Sequence, residues 1–580
     1  MSMKQHAPSV DRILARMSME EKIGQTLAFG FSGVYPHLDI LDAITRYHVA
    51  GFRVTPRGRK FVRYLKAGSP GAARVIRDPE RLERRYGSTI TAPRATAEEY
   101  ANTLNVLRRR SLETGAGVPV YFATDFEGNQ SADVFFSGSI GVPDAMGLAA
   151  SGDPSLCRRT CAAVGRQMKA VGVDWIHSPV LDVNTVPDNP EIGTRSFSPL
   201  PEDVTRFALE SLRGYTAARV VSTAKHFPGR GHSAADVHYG VAVIDESRKR
   251  MDAVHLAPYR ALIQDGLPAI MLAHSIFPAL DPEREIATLS RAVITDLLRG
   301  ELGYQGVVMT DSFTMGGLVA KYEVADAAVR CLQAGVDLIL LKDESALRGE
   351  VFHGLLEAVR TGRLPEDRVE EAVRRVLQVK QRFGLLDGTQ GIVDPGAIAR
   401  TQIELAQEGI AEEAARRATV VLRDREKILP VRPGTRILVV EHVGGLVRSL
   451  NDSSAHSGAL YEALLAQGCD ASFTDFEVAH VDDAWPVIQQ MAAEADLVIH
   501  TGCYQRGHRD GREVHAHFLS LNKPTVFVCN SPYGLLVDEA HSTVIVTFSA
   551  FAAAMRAAAD IITGKYSPSG KLTFDPTKIY

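Results

Sequence analysis

The alternation of short apolar runs with longer helical patterns is the feature that most limits the folds open to this chain. Seven runs rich in β-branched and other apolar residues occur before residue 342. Between them lie stretches with apolar residues at helical spacing, such as 202–216. Alternating strands and helices form a parallel sheet. The candidate strands are 48–53, 119–124, 173–178, 219–224, 268–273, 305–310 and 336–341.

The number of these units predicts a closed sheet. Seven or eight strand–helix units within residues 1–388 favour a (β/α)8 TIM-type barrel over an open sheet. Parallel strands bring their carboxyl ends to one face, where barrel enzymes build their sites. Any single polar residue at a strand end is compatible with a structural cap, but a nearly complete set indicates a site. The set comprises Asp125, Asp182, Asn184, Lys225, His226, His274, Asp311 and Lys342.

A second, smaller domain follows the predicted barrel. The chain has 580 residues, whereas a single hydrophobic core stops growing near roughly 250–300 residues. Residues 389–400 are rich in glycine and polar residues and are interpreted as a linker. Alternating elements then resume over 401–580, which predicts a smaller doubly wound α/β domain. Its predicted elements are a helix at 402–418 and strands at 436–440, 496–500, 524–529 and 543–548.

Composition excludes several classes of function. With 65 basic and 69 acidic residues the net charge is −4, so no overall field attracts nucleic acid or a membrane surface. An apolar run of 18 residues is absent, and the N-terminal sequence lacks the apolar segment of a signal peptide. Six scattered cysteines fit reduced thiols. We therefore expect a cytoplasmic enzyme. The sequence contains no nucleotide-binding glycine motif, so we expect no cofactor.

One segment departs strongly from this average. Residues 53–94 carry 12 basic and three acidic side chains, a local balance of +9 directly after the first candidate strand. A solvated insertion or a subunit contact is the favoured interpretation. The alternative is a cover over the site that attracts an anionic substrate. The basic residues are Arg53, Arg57, Arg59, Lys60, Arg63, Lys66, Arg74, Arg77, Arg81, Arg84, Arg85 and Arg94.

The richest chemistry lies in the loop after the fourth candidate strand. Residues 225–238 read Lys-His-Phe-Pro-Gly-Arg-Gly-His-Ser-Ala-Ala-Asp-Val-His. Asp236 and His238 are two residues apart, so the carboxylate can reach the imidazole. Such a carboxylate raises the pKa of a histidine and fixes its tautomer, which suits a general acid/base near neutral pH. The structural alternative is a loop histidine with a capping aspartate.

Metal binding is a second interpretation of the same loop. His226, His232, Asp236 and His238 are suitable ligand types for zinc, but their spacing matches no tight metal motif. The acid/base interpretation is therefore preferred, with no metal.

Farther on, Cys503, His508, His515 and His517 lie close in sequence without a paired C-x-x-C. A solvated loop is favoured there over a metal site.

Four motifs in order resemble one enzyme family. Lys-His-Phe-Pro-Gly-x-Gly followed by Asp-x-His resembles the signature of glycoside hydrolase family 3, in its β-N-acetylhexosaminidase branch. Residues 182–198 (DVNTVPDNPEIGTRSFS), 286–304 and 305–316 (QGVVMTDSFTMG) are similar to further segments of that family. The resemblance covers the whole chain in outline and residues 120–345 closely. It implies a catalytic barrel followed by a sandwich domain with a structural role.

The resemblance also implies roles for individual residues. Asp311 matches the nucleophile that forms a covalent glycosyl-enzyme, and His238 with Asp236 matches the acid/base pair of a retaining mechanism. These roles need no metal. The residues that match sugar-binding positions of the family are Asp125, Arg195, Lys225 and His226.

One stretch departs from the family pattern and leaves the substrate open. The branch usually has D-x-E-G-G-x-V-x-R, whereas this chain has Asn129 for the second glycine and Asp133 for the arginine. We therefore expect an exo-acting β-glycosidase, best described as a β-N-acetylhexosaminidase, for an anionic or amino-substituted carbohydrate. The alternatives are a β-glucosidase specificity and a glycosyl phosphorylase or transglycosylase. A metal-dependent barrel hydrolase and a catalytically silent sugar-binding protein are less favoured.

Overall fold

The chain folds into two compact units. The computed structural model describes residues 9–56, 95–129, 131–187, 189–233, 241–315, 318, 322–442, 457–477, 480–503, 512–533 and 541–575, with the backbone of 59–66 and 82–90. The first unit comprises Met1–Phe126, Gly165–Asp182 and Tyr215–Thr401. The second comprises Glu127–Val164, Val183–Gly214 and Gln402–Tyr580. The position of the interdomain linker at 389–400 stays a prediction.

The first unit contains the predicted barrel. Its eight parallel strands are Leu27–Ser32 (β1), Gly51–Thr55 (β2), Tyr121–Thr124 (β3), Trp175–Ile176 (β4), Val221–Phe227 (β5), Ala269–Leu272 (β6), Val307–Thr310 (β7) and Ile339–Leu341 (β8). They lie in the order β7-β6-β5-β4-β3-β2-β1-β8. Backbone contacts between the segments of β7 and β8 close the sheet, and there the amide of Thr310 donates to the carbonyl of Leu338 at 3.0 Å. The (β/α)8 prediction is confirmed.

The structure adds β1 and shifts β2 relative to the sequence-based assignment. The run LAFGFS of β1 contains no β-branched residue, so its strand character was not apparent. The second strand was predicted at 48–53 but begins at Gly51, because His48 adopts a left-handed backbone with φ 47°. That conformation ends the preceding turn and cannot continue a strand.

Helices alternate with the barrel strands. The helix Glu366–Arg382 follows β8, and Gly384 comes shortly after it with φ 84°, a left-handed conformation common at helix ends. Before β3, the helix Ala97–Leu112 begins with a capping box between Thr96 and Glu99. The other helices from Val10 to Arg360 are Val10–Leu14, Met19–Gly24, Leu38–Thr45, Ala145–Ala150, Pro154–Val171, Pro201–Ala217, Arg248–Arg250, Met251–His255, Ala257–Gln264, Ala292–Glu301, Val324–Ala334 and Leu347–Arg360.

Alternate residues of the strands fill the barrel interior. One buried cluster joins side chains from the eight-stranded sheet to the helix Glu366–Arg382, and it includes Tyr121, Trp175 and Met309. Successive strand residues point to opposite faces, so residues two positions later on each strand continue the same interior row. At the carboxyl ends of the strands this row changes from apolar to charged. The residues that continue it are Arg53, Asp125, His177, Lys225 and Asp311.

The second unit is built on a six-stranded sheet with helices on both faces. Along the strands, apolar side chains alternate between two buried clusters, so that Val439 and Val440 pack on opposite faces. The predicted sandwich is confirmed. In spatial order its strands are Val420–Asp424, Thr543–Val546, Thr525–Cys529, Leu497–Gly502, Arg436–His442 and Asp470–Phe476, with only the first antiparallel to its neighbour. Its helices are Ile410–Ala418, Ala459–Leu465, Val481–Glu494, Arg512–Ser520 and Ala552–Ile562.

Two local features of this region differ from the sequence-based assignment. The helix predicted at 402–418 is two helices, Ile398–Glu408 and Ile410–Ala418, because Gly409 adopts a left-handed backbone with φ 64°. The strands Val420–Asp424 and Asp470–Phe476 were not predicted. Both lie at sheet edges with most side chains partly exposed, so they lack a buried apolar run.

All six cysteines are free, in agreement with the expected reduced thiols. Across the described ranges, the helices are too short or too polar for any of them to cross a bilayer.

Candidate active site

A cluster of opposite charges surrounds Asp125, which directly follows β3. Nζ of Lys225, on β5, donates to Oδ1 of Asp125 at 2.9 Å. On the other side, Nε and Nη2 of Arg53, on β2, lie 2.8 Å and 2.6 Å from Oδ2. Nδ1 of His177 lies 3.4 Å from Oδ1. The structure thus brings the predicted residues Asp125 and Lys225 into direct contact.

These cations determine the charge state of Asp125. Burial by itself would raise the pKa of this carboxyl group, but Lys225 and Arg53, with a contribution from His177, hold that pKa well below its ordinary value. Asp125 is therefore ionised at neutral pH. Its side chain is 19% exposed, which leaves the carboxylate accessible to a ligand.

Arg53 is a site residue that the sequence interpretation missed. The sequence places it in the basic segment 53–94, at the last position of the strand predicted over 48–53. The period of two along a strand puts Arg53 on the same face as Gly51, but only the structure shows that this face is the barrel interior, because an added Cβ on Gly51 would lie 2.5 Å from the ring of Tyr121. Arg53 continues the same row. The sheet register pairs it with Ala123, two residues before Asp125.

His226 is held from two sides in a single tautomer. Its Nδ1 lies 2.7 Å from Oδ2 of the buried Asp182, so that nitrogen donates to the carboxylate. Its Nε2 lies 3.0 Å from Nη2 of Arg230, which donates to it. The backbone amide of Arg230 also donates to Oδ1 of Asp182 at 2.7 Å. The predicted residues Asp182 and His226 therefore form one buried unit with Arg230.

Asp311 lies immediately after β7, beside this unit. Its Oδ1 accepts a bond of 2.7 Å from the amide of Ser312, and its Oδ2 lies 3.8 Å from Nε2 of His226. Burial would raise the pKa of Asp311. The charges of Arg230 and His274, together with the Ser312 amide, instead bring it below its ordinary value. An ionised carboxylate with 19% of its side chain exposed is suited to nucleophilic attack.

His274 supports the backbone that carries Asp311. It follows β6, is fully buried, and donates from Nε2 to the carbonyl of Ser312 at 3.1 Å. Its Nδ1 lies 2.8 Å from Oγ1 of Thr288. Burial lowers the pKa of this histidine. The residue at the fifth predicted strand end therefore supports the chain next to Asp311.

The loop after β5 is anchored by a buried carboxylate. Oε1 of Glu246 lies 3.2 Å from Nδ1 of His232, and its Oε2 lies 3.2 Å from Nε2 of the buried His255. Burial would raise the pKa of Glu246, but its histidine partners and Arg250 lower it to about 2. Asp236 and His238 lie outside the described residues. Their acid/base role stays a prediction.

Arg195, predicted to bind sugar, belongs to the second compact unit. Its Nε and Nη2 lie 2.6 Å and 3.1 Å from the two carboxylate oxygens of Glu127, and its Nη1 donates to the carbonyl of Glu191 at 2.9 Å. Both side chains of the pair are nearly completely buried. Removing one partner of such a pair costs about 3–5 kcal/mol. Its predicted contact with a substrate stays a prediction.

The departure from the family pattern also lies in the second unit. Oδ1 of Asn129 accepts a bond of 2.8 Å from the amide of Ala550, so this side chain joins two distant parts of the chain. Asp133 directly follows the short strand Ser131–Ala132. The effect of Asp133 on the substrate stays a prediction.

Two of the four candidate metal ligands have carboxylate partners. His226 and His232 contact the carboxylates of Asp182 and Glu246, whereas Asp236 and His238 lie outside the described residues. Within the part of the chain that is described, the potential ligand atoms of His37, Asp39 and Glu344 lie within 4.8 Å of one another. None of these three belongs to the predicted set, and Asp39 is exposed.

The second unit contains a cluster of buried histidines. His500 lies between Phe518 and Phe527, with ring centroids 4.0 Å and 4.5 Å away. Nδ1 of His515 lies 2.9 Å from Nε2 of the buried His541. The solvated loop predicted for His515 was therefore wrong, because the helix Arg512–Ser520 turns one face into the domain core.

Comparison with known proteins decides the family. Residues 85–379 match the model of the glycosyl hydrolase family 3 N terminal domain, about half of the chain. The chain belongs to glycosyl hydrolase family 3. This membership confirms the resemblance predicted from the four motifs.

Relatives within family 3 support its hexosaminidase branch. Beta-hexosaminidase A of Pseudoalteromonas piscicida is 29% identical over 364 residues, which cover 57% of this chain and 60% of that protein. A beta-N-acetylglucosaminidase/beta-glucosidase of Cellulomonas fimi is 30% identical over 391 residues, or 65% of this chain and 67% of that protein. The first match thus spans less than two thirds of the relative's length.

A solved family 3 structure extends the likeness to the whole chain. The beta-N-acetylglucosaminidase from Paenibacillus sp. str. FPU-7 has a TM-score of 0.80 and 28% sequence identity, over 96% of this chain and 98% of that one. The barrel and the sandwich both lie within this match.

Proposed function

We propose that this family 3 protein is a retaining, exo-acting β-glycosidase that releases a terminal β-linked N-acetylhexosamine. One observation carries the proposal: Oδ2 of the ionised, accessible Asp311 lies 3.8 Å from Nε2 of His226. The residue before His226 in the chain, Lys225, binds Asp125, which is equally accessible. A candidate nucleophile and a candidate hydroxyl acceptor thus lie at the carboxyl ends of the parallel barrel strands, with Lys225 and His226 of β5 between them in the strand order.

The proposed reaction uses two displacements. Asp311 attacks the anomeric carbon and forms an ester bond while the bond to the leaving oxygen breaks. His238, paired with Asp236, gives its proton to that oxygen. It then takes a proton from water, whose oxygen attacks the anomeric carbon and releases Asp311. Two inversions give net retention.

Sugar recognition in this proposal depends on charge-assisted hydrogen bonds. The carboxylate of Asp125 accepts from hydroxyls of the terminal sugar, and Lys225 and His226 line the same strand end. Arg195 is the fourth proposed contact. Asp133 favours an amino-substituted sugar over an anionic one at its position. The basic segment 53–94 favours an anionic group elsewhere on the substrate.

The test is a panel of 4-nitrophenyl β-glycosides of N-acetylglucosamine, glucosamine, glucose and xylose. We expect the highest kcat/KM on the N-acetylglucosaminide, with the β-anomer as the first product seen by NMR. Release of the α-anomer first would refute retention, and failure to cleave any glycoside would refute the proposal. A chelator is expected to leave the rate unchanged, and a loss of rate would favour the metal-dependent alternative.

Two further measurements distinguish this proposal from a β-glucosidase and from a glycosyl phosphorylase. The Cellulomonas relative is named for both a β-N-acetylglucosaminidase and a β-glucosidase, so a preference for the glucoside would replace the proposed specificity with that of a β-glucosidase. Adding inorganic phosphate distinguishes a hydrolase from a phosphorylase. We expect free sugar with and without phosphate, and a sugar 1-phosphate product would overturn the hydrolytic assignment.

A further inference from the structure

We propose that Arg53 is a positioning residue that sets specificity: it orients the Asp125 carboxylate to accept a hydrogen bond from one hydroxyl of the terminal sugar. The inference rests on the proposed function, since it requires a sugar substrate in this barrel. It adds a residue from the second barrel strand, outside the motifs that relate the chain to its family.

The guanidinium of Arg53 is bound by two different side chains, Asp125 and Thr55. Nε and Nη2 lie 2.8 Å and 2.6 Å from Oδ2 of Asp125, and Nη1 donates to Oγ1 of Thr55 at 2.9 Å. The Arg53 side chain is only 11% exposed. Because the guanidinium is planar and its donors form a rigid fork, this arrangement restricts rotation of the carboxylate.

Counting acceptor positions identifies the oxygen left for a ligand. An ionised carboxylate has about four acceptor positions, two on each oxygen. Arg53 takes both on Oδ2, and Lys225 takes one on Oδ1. The fourth position is on Oδ1, where Nδ1 of His177 lies 3.4 Å away, beyond the usual length of an N–H···O hydrogen bond. Asp125 is therefore set to accept from one hydroxyl in one direction.

Lys225 alone would not produce the same selectivity. A lysine ammonium is a compact charge on a flexible stem, so it attracts a carboxylate without fixing its plane. Without Arg53, Oδ2 of Asp125 would regain its acceptor positions and the carboxylate could turn. The geometry therefore predicts a loss confined to substrates that carry the hydroxyl bound by Oδ1.

The experiment measures kcat and KM of wild type and Arg53→Met on the nitrophenyl β-N-acetylglucosaminide and on its 3-deoxy, 4-deoxy and 6-deoxy analogues. On the parent substrate we expect kcat/KM to fall about 10- to 100-fold, the range of one hydrogen bond to a charged group. On the one deoxy analogue that lacks the hydroxyl bound by Oδ1, the kcat/KM values of wild type and Arg53→Met should agree within about threefold. On the parent substrate, the kcat/KM of Arg53→Lys should lie between those of wild type and Arg53→Met, since lysine restores the charge without the fork.

A matched control separates positioning from stability. Arg299 is a barrel arginine of similar exposure, 12%, with its Nη2 2.6 Å from Oδ2 of the buried Asp337. Arg299→Met should lower thermal stability without any dependence on the deoxy position. Thr55→Val removes the second anchor of Arg53 and should cause a smaller loss of the same pattern, which keeps the test available if Arg53→Met does not fold.

The outcomes distinguish this inference from the proposed function. Equal losses of kcat/KM for Arg53→Met on all four substrates, or no loss on the parent substrate, would overturn the role of Arg53 while the glycosidase assignment stands. Lack of activity of the wild type on every substrate would instead overturn the proposed function.

Discussion

Nε2 of His226 lies 3.8 Å from Oδ2 of Asp311, and it is the unprotonated nitrogen of that ring. Because Arg230 donates to Nε2, that nitrogen accepts and has no proton to give to Asp311. The positive charge beside the carboxylate comes from Arg230, which also donates to Nε2. The His226–Asp182 pair therefore lies beside Asp311 without neutralising it.

Replacing Asp311 with asparagine should abolish turnover while the fold persists. The change keeps the shape and the bond from the Ser312 amide but removes the nucleophilic oxygen, so we expect kcat to fall on the order of 10⁴-fold or more. The measurement is nitrophenol release together with circular dichroism. Asp296→Asn, at an aspartate whose side chain is 63% exposed, is the control and should retain wild-type rates. Full activity of Asp311→Asn would contradict the nucleophile role.

Replacing His238 with alanine should affect substrates according to their leaving groups. A general acid contributes about 10²–10⁴-fold when the leaving oxygen needs a proton. We expect a loss of that size with a phenyl glycoside and a much smaller loss with a 2,4-dinitrophenyl glycoside. His480→Ala, at a histidine whose side chain is 68% exposed, serves as the control. A uniform loss on both substrates would argue against an acid role.

Replacing Arg230 with glutamine should shift the acid limb of the pH profile upward. Arg230 is the strongest charge that opposes the effect of burial and holds the pKa of Asp311 below its ordinary value. Without it that pKa rises, so the carboxylate is protonated at higher pH and kcat/KM falls earlier on acidification. The profile is measured between pH 3 and 8. Arg291→Gln, at an exposed arginine, should leave the limb in place, and an unmoved limb in Arg230→Gln would refute the prediction.

The stability of the barrel should depend on pH through Lys380. Its ammonium is fully buried, donating to Oε1 of Gln25 and the carbonyl of Pro119, both at 2.9 Å, and burial lowers its pKa to about 7. Between pH 7 and 9 the unfolded chain therefore binds a proton that the folded chain does not. The unfolding free energy then rises with pH, by up to about 1.4 kcal/mol per pH unit.

Denaturant unfolding at pH 7, 8 and 9 tests this dependence. Lys380→Met should remove the contribution, so the difference in unfolding free energy between wild type and variant should change with pH. Lys249→Met, at an exposed lysine, should not change it. Parallel curves for wild type and Lys380→Met would show that the lysine is charged in the folded barrel.

The sandwich domain should lose stability in acid through His500. Burial holds the pKa of this histidine well below its ordinary value, with the neighbouring His541 and His515 adding to the effect. As pH falls below about 6.5, the unfolded chain takes up a proton that the folded domain does not. The unfolding free energy therefore decreases by up to about 1.4 kcal/mol per pH unit.

His500→Phe should reduce that loss, because phenylalanine keeps the stack between Phe518 and Phe527 without a titrating group. Unfolding of the domain is followed at pH 8, 7, 6 and 5. His353→Phe, at an exposed histidine of the barrel, is the control. An acid loss as steep in His500→Phe as in wild type would rule out His500 as its source.

The sequence by itself determined the barrel, the sandwich and most of the charged strand ends. Strand and helix periodicities are local, and a parallel sheet must bring Asp125, Lys225 and Asp311 to one edge whatever the details of packing. The four motifs then identified the family, which the comparisons confirm.

Only the tertiary structure decided which of these charges meet. Arg53 reaches Asp125 because β2 pairs with β3 in one register. A long insertion separates these strands in the chain, so no local sequence pattern predicts their register. The same reason explains the burial of His515 against His541, which depends on how a helix packs on a sheet. Local periodicity indicates which side of an element is apolar. Contacts between distant elements form only when the chain packs, so periodicity does not predict them.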